Sequence, residues 1–277
     1  MLIRLGSRGS RLALAQAEQA AAALRRLGHE VAFVPMTTAG DRDRSSPFGQ
    51  IGERGVFVKE IEEALLAGRI DVAAHSAKDM TSTDTRGLTV GAYLERDDPR
   101  DALVGAEALV PELRIGTASV RRRAQLLALE PTLSVEPLRG NVDTRLRKAR
   151  ERGLDALVLA CCGLDRLGLG GEIGVRLPVE TMLPEAGQGA VALQVPVGKE
   201  HLVDGAGDAE TRRRVEAERA CAAAIGAGCL APVAAHHDGR RLHALIAAED
   251  GSWIERASGD DPATLAAELV AKAAVRA

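Results

Sequence analysis

Arg114-Ile115-Gly116-Thr117-Ala118-Ser119-Val120-Arg121-Arg122-Arg123 compresses a strand, a turn and the start of a helix into one short stretch. The strand Arg114–Gly116 gives way through Thr117 and Ser119 to a helix over Val120–Leu129. The same alternation continues downstream with a strand at Leu133–Leu138, the turn Arg139-Gly140-Asn141, a helix at Val142–Arg152 and a strand at Ala156–Ala160. Upstream, Asp97-Asp98-Pro99-Arg100-Asp101 precedes a strand at Ala102–Val104. Strands that alternate with helices imply an α/β fold on a mostly parallel sheet.

The N-terminal region reads the same way. Leu2–Leu5 is a short strand, Ser10 caps a helix that Gly28 stops after Leu27, and Val31–Met36 alternates as a strand. Asp41–Gly55 is polar and Gly-rich, so a mobile loop is expected there. Phe57, Ile61 and Leu65 mark one face of a helix ending near Gly68, and Ile70–Ala74 follows as a buried strand. Pro178–Gly189 is a Pro/Gly-rich crossover, after which Ala190–Val195 returns to the first unit. A third region starts near Asp208 with an Arg/Glu helix and a Gly-rich loop around Cys229. A hairpin (Arg241–Ala248, Trp253–Ala257) and an amphipathic helix from Pro262 complete it. Three domains are expected: 1–94 with 190–204, then 99–185, both α/β, and a small α+β domain over 208–277.

The charges sit badly for isolated helices. A helix N-terminus carries unsatisfied N–H groups and partial positive charge, so anionic side chains belong there. Here Arg121, Arg122 and Arg123 fill the first turn of one helix, while Arg139, Arg145 and Arg147 surround the start of the next. Such clusters cost stability unless an anion sits between them, and the strand-to-helix turn of an open α/β sheet is where ligands bind. Gly6-Ser7-Arg8-Gly9-Ser10 is a third such turn. Guanidinium forks suit carboxylates or phosphates, so the three turns point to a polyanion site. Arg121→Leu or Arg122→Leu, by relieving the clash with the helix dipole, is then expected to leave the ligand-free protein no less stable. Against this, only five of the 36 basic residues are Lys, so a general bias toward Arg also explains any single one.

His75-Ser76-Ala77-Lys78-Asp79 follows a buried strand and brings one carboxylate among many cations. Asp79 is either a structural counter-ion or a group that handles protons and stabilises a cation. His75 alone reads as a hydrogen-bonded structural residue. Cys229, in Gly226-Ala227-Gly228-Cys229-Leu230-Ala231-Pro232, sits in a tight turn that could present a nucleophile or an attachment point, or hold an inert thiol. Cys161 and Cys162, on a strand end, and Cys221, in a helix, fit an unreactive role.

Composition excludes several classes. The 277 residues carry a formal net charge of -3 and only 2% aromatics, which argues against nucleic-acid binding. Gln16, Glu18 and Gln19 interrupt the apolar run Leu12–Leu24, so neither a signal peptide nor a membrane span is expected. Four cysteines without ligand spacing argue against a disulfide framework and against zinc. A cytoplasmic location fits.

Taken together, the chain resembles the porphobilinogen deaminase family. Matching stretches are Ser7-Arg8 with Leu12-Ala13-Leu14, Gly55-Val56-Phe57-Val58-Lys59-Glu60, His75 to Asp79 and Glu95 to Asp101. They continue with Gly116 to Arg122, Leu138 to Leu146, Leu183-Pro184 with Gly187-Gln188-Gly189-Ala190, and Gly228-Cys229. The resemblance implies two hinged α/β domains like type II periplasmic binding proteins and a small third domain carrying a cofactor cysteine. It implies a thioether from Cys229 to dipyrromethane and a catalytic Asp79. Cofactor contacts fall on Arg121, Arg122, Lys78, Ser119, Thr117 and Arg145, and substrate contacts on Arg8, Ser10, Arg139, Arg145, Ser76 and Gln188. The implied substrate is porphobilinogen and the implied state a monomer. Arg54, Arg11, Asp143 and Leu230 depart from the family pattern, as does a shorter third domain; Asp143, close to Arg139 and Arg145, is expected to weaken carboxylate binding. The rival reading is a binding module of the same architecture that holds a small anion without turnover.

Overall fold

Ile3 and Leu5, on either side of Arg4, are completely buried, as fits a first strand that lies inside its sheet, between two others. In the computed structural model, residues 1–36, 58–81, 85–226 and 232–276 are described. The expected loop at 41–55, together with Phe57, Cys229 and Leu230, lies outside them. Chain order runs β1 (Leu2–Arg8), α1 (Arg11–Arg26), β2 (Glu30–Met36), α2 (Lys59–Leu66), β3 (Val72–Ser76) and β4 (Leu88–Tyr93). There follow β5 (Asp101–Val104), β6 (Arg114–Gly116), α3 (Val120–Leu129), β7 (Ser134–Glu136), α4 (Val142–Arg152), β8 (Ala156–Ala160), α5 (Cys161–Arg166) and β9 (Ile173–Leu177). The remainder is β10 (Val191–Pro196), α6 (Ala209–Ile225), β11 (Val233–His237), β12 (Leu242–Ala247), β13 (Ile254–Gly259) and α7 (Pro262–Ala274).

The chain divides into two compact units, Met1–Asp97 with Ala190–Arg213, and Asp98–Gly189 with Arg214–Ala277. In the first, the sheet order is β2-β1-β3-β10-β4, with β1 parallel to β2 and β3 and with β10 antiparallel to both its neighbours. The second unit repeats that plan as β7-β6-β8-β5-β9, where β5 is the antiparallel strand. Four of the five strands in each sheet therefore run one way, so both sheets are mostly parallel. A separate antiparallel sheet, β11-β12-β13, stands in the second unit with α7 packed against it.

Helices cover both faces of the first sheet. Small side chains on α1 (Ala17, Ala20, Ala21) let it lie close against Ile3, Leu5, Val72 and Leu193. On the other face, Ile61, Ala64 and Leu65 of α2 pack against Ile70, Ala73 and Leu88. Within the second unit, Ala124 of α3 and Leu183 join Ala234, Leu245 and Ala247 of the antiparallel sheet in one apolar cluster.

Several element boundaries differ from expectation. The strand expected at Ile70–Ala74 starts and ends later, so His75 and Ser76 belong to β3 itself. Cys161 and Cys162 open α5 rather than ending a strand. Strands β4, β9 and β11 were not expected. Among the described residues, no helix is long and apolar enough to cross a membrane, and no group of three or more His, Cys, Asp or Glu is placed to hold a metal.

Candidate active site

Parallel pairing of β1 with β3, with Leu5 opposite Val72 and Gly6 opposite Ala73, brings the carboxyl ends of both strands to one edge of the first sheet. The chain leaves β1 through Arg8-Gly9-Ser10 and leaves β3 through a 3₁₀ turn at Ala77–Asp79. A cleft at that edge is lined by Arg8, Ser10, Ser76, Lys78 and Asp79, along with His75, Leu12, Ala13 and Val58. The antiparallel strand β10 fixes this edge: Ser76 pairs with Val191, and the Ala77 N–H donates to the Ala190 carbonyl at 3.0 Å. Ser10 caps α1 by accepting from the Ala13 N–H at 3.2 Å, a bond that leaves the hydroxyl proton as a donor. Ligands of open α/β sheets bind at such an edge.

His75 lies beneath this cleft in a buried chain of side chains. Its Nε2 is 3.1 Å from Gln194 Oε1. Gln194 Nε2 donates to Glu62 Oε1 at 2.8 Å, and the Thr85 hydroxyl donates to Glu62 Oε2 at 2.7 Å. Because Gln194 spends its amide N–H on Glu62, its oxygen accepts and His75 must carry the proton on Nε2. Burial lowers the His75 pKa to about 4, against a smaller upward pull from Gln194. His75 is thus a neutral, hydrogen-bonded residue, as its position suggested.

In the second unit, arginines cluster at the start of α3. Ser119 caps α3, accepting from the Arg122 N–H at 3.4 Å, and Thr117 Oγ1 accepts from the Ser119 N–H at 3.2 Å. Arg121 and Arg122 do not lie on the surface. They are 3% and 5% exposed and converge on Asp101, which is 0% exposed. Arg121 Nη1 donates to Asp101 Oδ2 at 2.9 Å and to the Leu183 carbonyl at 2.7 Å. Arg122 donates to Asp101 Oδ1 from Nη2 at 2.7 Å and Nε at 3.1 Å, and to the Val158 carbonyl from Nη1 at 3.1 Å. Gln188 Nε2 also donates to Asp101 Oδ1 at 2.8 Å. Burial alone would push the Asp101 carboxyl up, but the two guanidinium charges and their hydrogen bonds hold it well below the usual carboxylate range.

Sequence reasoning missed Asp101. The sequence points to a bound polyanion as the partner of this cluster, whereas the chain carries an anion of its own there. The expected effect of Arg121→Leu and Arg122→Leu on stability therefore reverses, because each would strip a partner from a buried carboxylate. The available signal was one acid heading the apolar strand Asp101-Ala102-Leu103-Val104.

At the neighbouring turn, parallel pairing of Gly116 with Glu136 sets the ends of β6 and β7 side by side. Arg139 and Arg145 are both partly buried there, and Arg145 Nε donates to the Gly140 carbonyl at 2.7 Å. Arg147 instead makes an exposed ion pair with Glu151, one turn along α4. Arg123 is exposed too. These two follow the bland reading of an Arg-rich surface. Of the cysteines, Cys161, Cys162 and Cys221 are buried. Burial pushes the Cys161 thiol up to about 12 and that of Cys221 up to about 11, so neither is a ready thiolate.

Residues 3–204 match the family described as porphobilinogen deaminase, dipyromethane cofactor binding domain. The chain belongs to the porphobilinogen deaminase family. Porphobilinogen deaminase of Roseiflexus sp. (strain RS-1) is 43% identical over 96% of this chain and 93% of its own length. The Syntrophotalea carbinolica porphobilinogen deaminase is 46% identical over 84% of this chain and 78% of its own. Among solved structures, a periplasmic substrate-binding protein of an ABC transporter from Coxiella burnetii superposes with a TM-score of 0.44, at 14% identity, over 76% of this chain and 94% of that one. As a member of the family the chain is a transferase of tetrapyrrole biosynthesis, forming hydroxymethylbilane from porphobilinogen with a dipyrromethane cofactor. The residues present fit a group bearing acetate and propionate carboxylates. Arg121 Nε and Nη2 are buried with no hydrogen-bond partner, an unspent pair of donors on a cationic side chain.

Proposed function

We propose that Cys229 holds the dipyrromethane by a thioether, that Asp79 is the catalytic carboxylate, and that the arginine-rich strand ends bind the carboxylates of the growing chain. The cofactor contacts are Arg121, Arg122, Lys78, Ser119, Thr117 and Arg145; the substrate contacts are Arg8, Ser10, Arg139, Arg145, Ser76 and Gln188. The observation that carries this reading is the cleft in which Asp79 shares one sheet edge with Arg8, Ser10, Ser76 and Lys78.

In each cycle the C–N bond of the substrate's aminomethyl group, protonated as the ammonium, breaks with its electron pair leaving on ammonia, which puts positive charge on the pyrrole methylene. Asp79, fixed by the 3₁₀ turn, stabilises that charge. When bound, the dipyrromethane would offer the free pyrrole α-position for the first addition, and the ring added last would offer it in each later one. Asp79 then takes the α-proton lost as the ring regains aromaticity. Arg8, Lys78, Ser10 and Ser76 hold acetate and propionate groups, which orients the methylene toward the attacking carbon. The same reading makes the enzyme a cytoplasmic monomer of three domains, 1–94 with 190–204, 99–185 and 208–277; sedimentation equilibrium checks the monomer.

Asp79→Asn distinguishes a catalytic carboxylate from a counter-ion. It should leave dipyrromethane in place and substrate binding nearly intact while cutting single-turnover extension by at least ~100-fold. Asp79→Glu should retain partial activity and accumulate intermediate chains visible by mass spectrometry. An Asn variant that extends at the wild-type rate would overturn the assignment.

A further inference from the structure

Two guanidinium groups share the buried carboxylate of Asp101, and they are used unequally. All three nitrogens of Arg122 are engaged, by Asp101, the Val158 carbonyl and, at 3.4 Å, Gln188 Oε1. Arg121 spends only Nη1, on Asp101 and the Leu183 carbonyl. Its two unpartnered nitrogens, Nε and Nη2, form the side-on edge that grips a carboxylate bidentately. Asp101 is well placed to impose this division. It opens β5, an interior strand, and its backbone is fixed opposite Ala160 on one side and Leu177 on the other. Gln188 donates to both the Pro99 carbonyl and Asp101 Oδ1 at 2.8 Å, so the carboxylate plane is fixed as well.

We propose that Asp101 is a positioning residue: it commits Arg122 to the fold and holds the Nε–Nη2 edge of Arg121 uncommitted for one carboxylate of the pyrrole chain. This rests on the family reading of the arginine cluster and gives its two members different tasks. One anion against two cations lets the chain fold before any cofactor is attached, yet leaves positive charge for the ligand. Half-buried Glu185 adds an electrostatic attraction on Arg122.

The test is a double-mutant cycle on cofactor loading, with Asp101→Asn, Arg121→Leu and the double variant supplied with porphobilinogen as cofactor-free proteins. Loading is followed by intact mass, and folding by circular dichroism. Each single change should slow dipyrromethane acquisition by about tenfold or more, the worth of one charged hydrogen bond. Because Asp101 acts through Arg121, the double variant should be slowed no more than about threefold beyond the slower single variant. Multiplying losses would mean that Asp101 merely supports the fold, and would overturn the proposal. If Asp101→Asn does not fold, Asp101→Glu keeps the charge but displaces it by one methylene, and should fold yet load slowly; wild-type loading by it would also overturn the proposal. A wild-type protein that never acquires dipyrromethane would sink the underlying reading along with this one, whereas normal loading by Asp101→Asn sinks this one alone.

Discussion

At the scale of single residues, the decisive feature is a charge hidden in the core. Arg121 and Arg122 stood out in the sequence because guanidinium groups at a helix N-terminus need an anion. Which anion was not legible, since Asp101 lies some twenty residues away and meets them only once β5 is inserted between β8 and β9. The consequence is measurable. Arg122→Leu should destabilise the cofactor-free protein by about 3 kcal/mol, the lower end for breaking a buried pair, because Arg121 still faces the carboxylate. Arg121→Leu should cost less, having fewer bonds to lose; urea unfolding of both variants checks the order. A cofactor-free Arg122→Leu protein as stable as wild type would contradict it. His75 gives a pH dependence. Its folded pKa of about 4 lies below the ordinary value of 6.5. Below pH 6.5 the unfolded chain therefore takes a proton that the native chain refuses. Stability should fall as the pH drops from 6.5 to about 4, by at most ~3 kcal/mol, and this contribution should level off below that. Denaturant midpoints across that range, for wild type and His75→Gln, isolate it: the variant should lack this part of the slope.

At the scale of elements, what was legible had strong punctuation. Ser10 and Gly28 bracket α1, whose cap and stop are both found. Helices α3 and α4 and strands β6 and β8 stand where the alternation put them. The strands that escaped notice have weak patterns: β4 contains Gly91, β9 contains Gly174, and β11 ends in two histidines. Each is stabilised by its pairing partners rather than by its own apolar run, so periodicity alone could not find it. The turn between β7 and α4 shows how a glycine serves the site. Gly140 has φ +125, and a Cβ there would meet Thr144 at 2.7 Å. Its carbonyl also holds Arg145. Gly140→Ala should therefore cost about 1–3 kcal/mol in stability and raise KM for porphobilinogen more than it lowers kcat. An unchanged KM in a folded variant would show that this turn does not bind the substrate's carboxylates.

For the whole molecule, one plan is used twice. In each five-stranded sheet, the antiparallel strand is the first to follow a crossing between the two units: β5 after Asp97–Asp98 and β10 after Gly189–Ala190. The sequence marks a crossover at Pro178–Gly189 through its Pro and Gly content, and the two compact units change over at Gly189–Ala190. It gave less warning that Arg214–Ala277 groups with Asp98–Gly189 in one compact unit. That grouping depends on contacts distant in sequence, such as the Gly187 N–H on Glu218 Oε2 at 2.8 Å and Arg256 Nη1 on the Glu180 carbonyl. The central claim concerns covalent chemistry at Cys229, so intact mass of the purified protein tests it most directly. Wild type should exceed the mass of the bare chain by one dipyrromethane. Cys229→Ser should have the bare mass and no activity, and serine at Cys161, Cys162 or Cys221 should change neither adduct nor turnover. A fully active wild-type protein of unmodified mass would contradict the account.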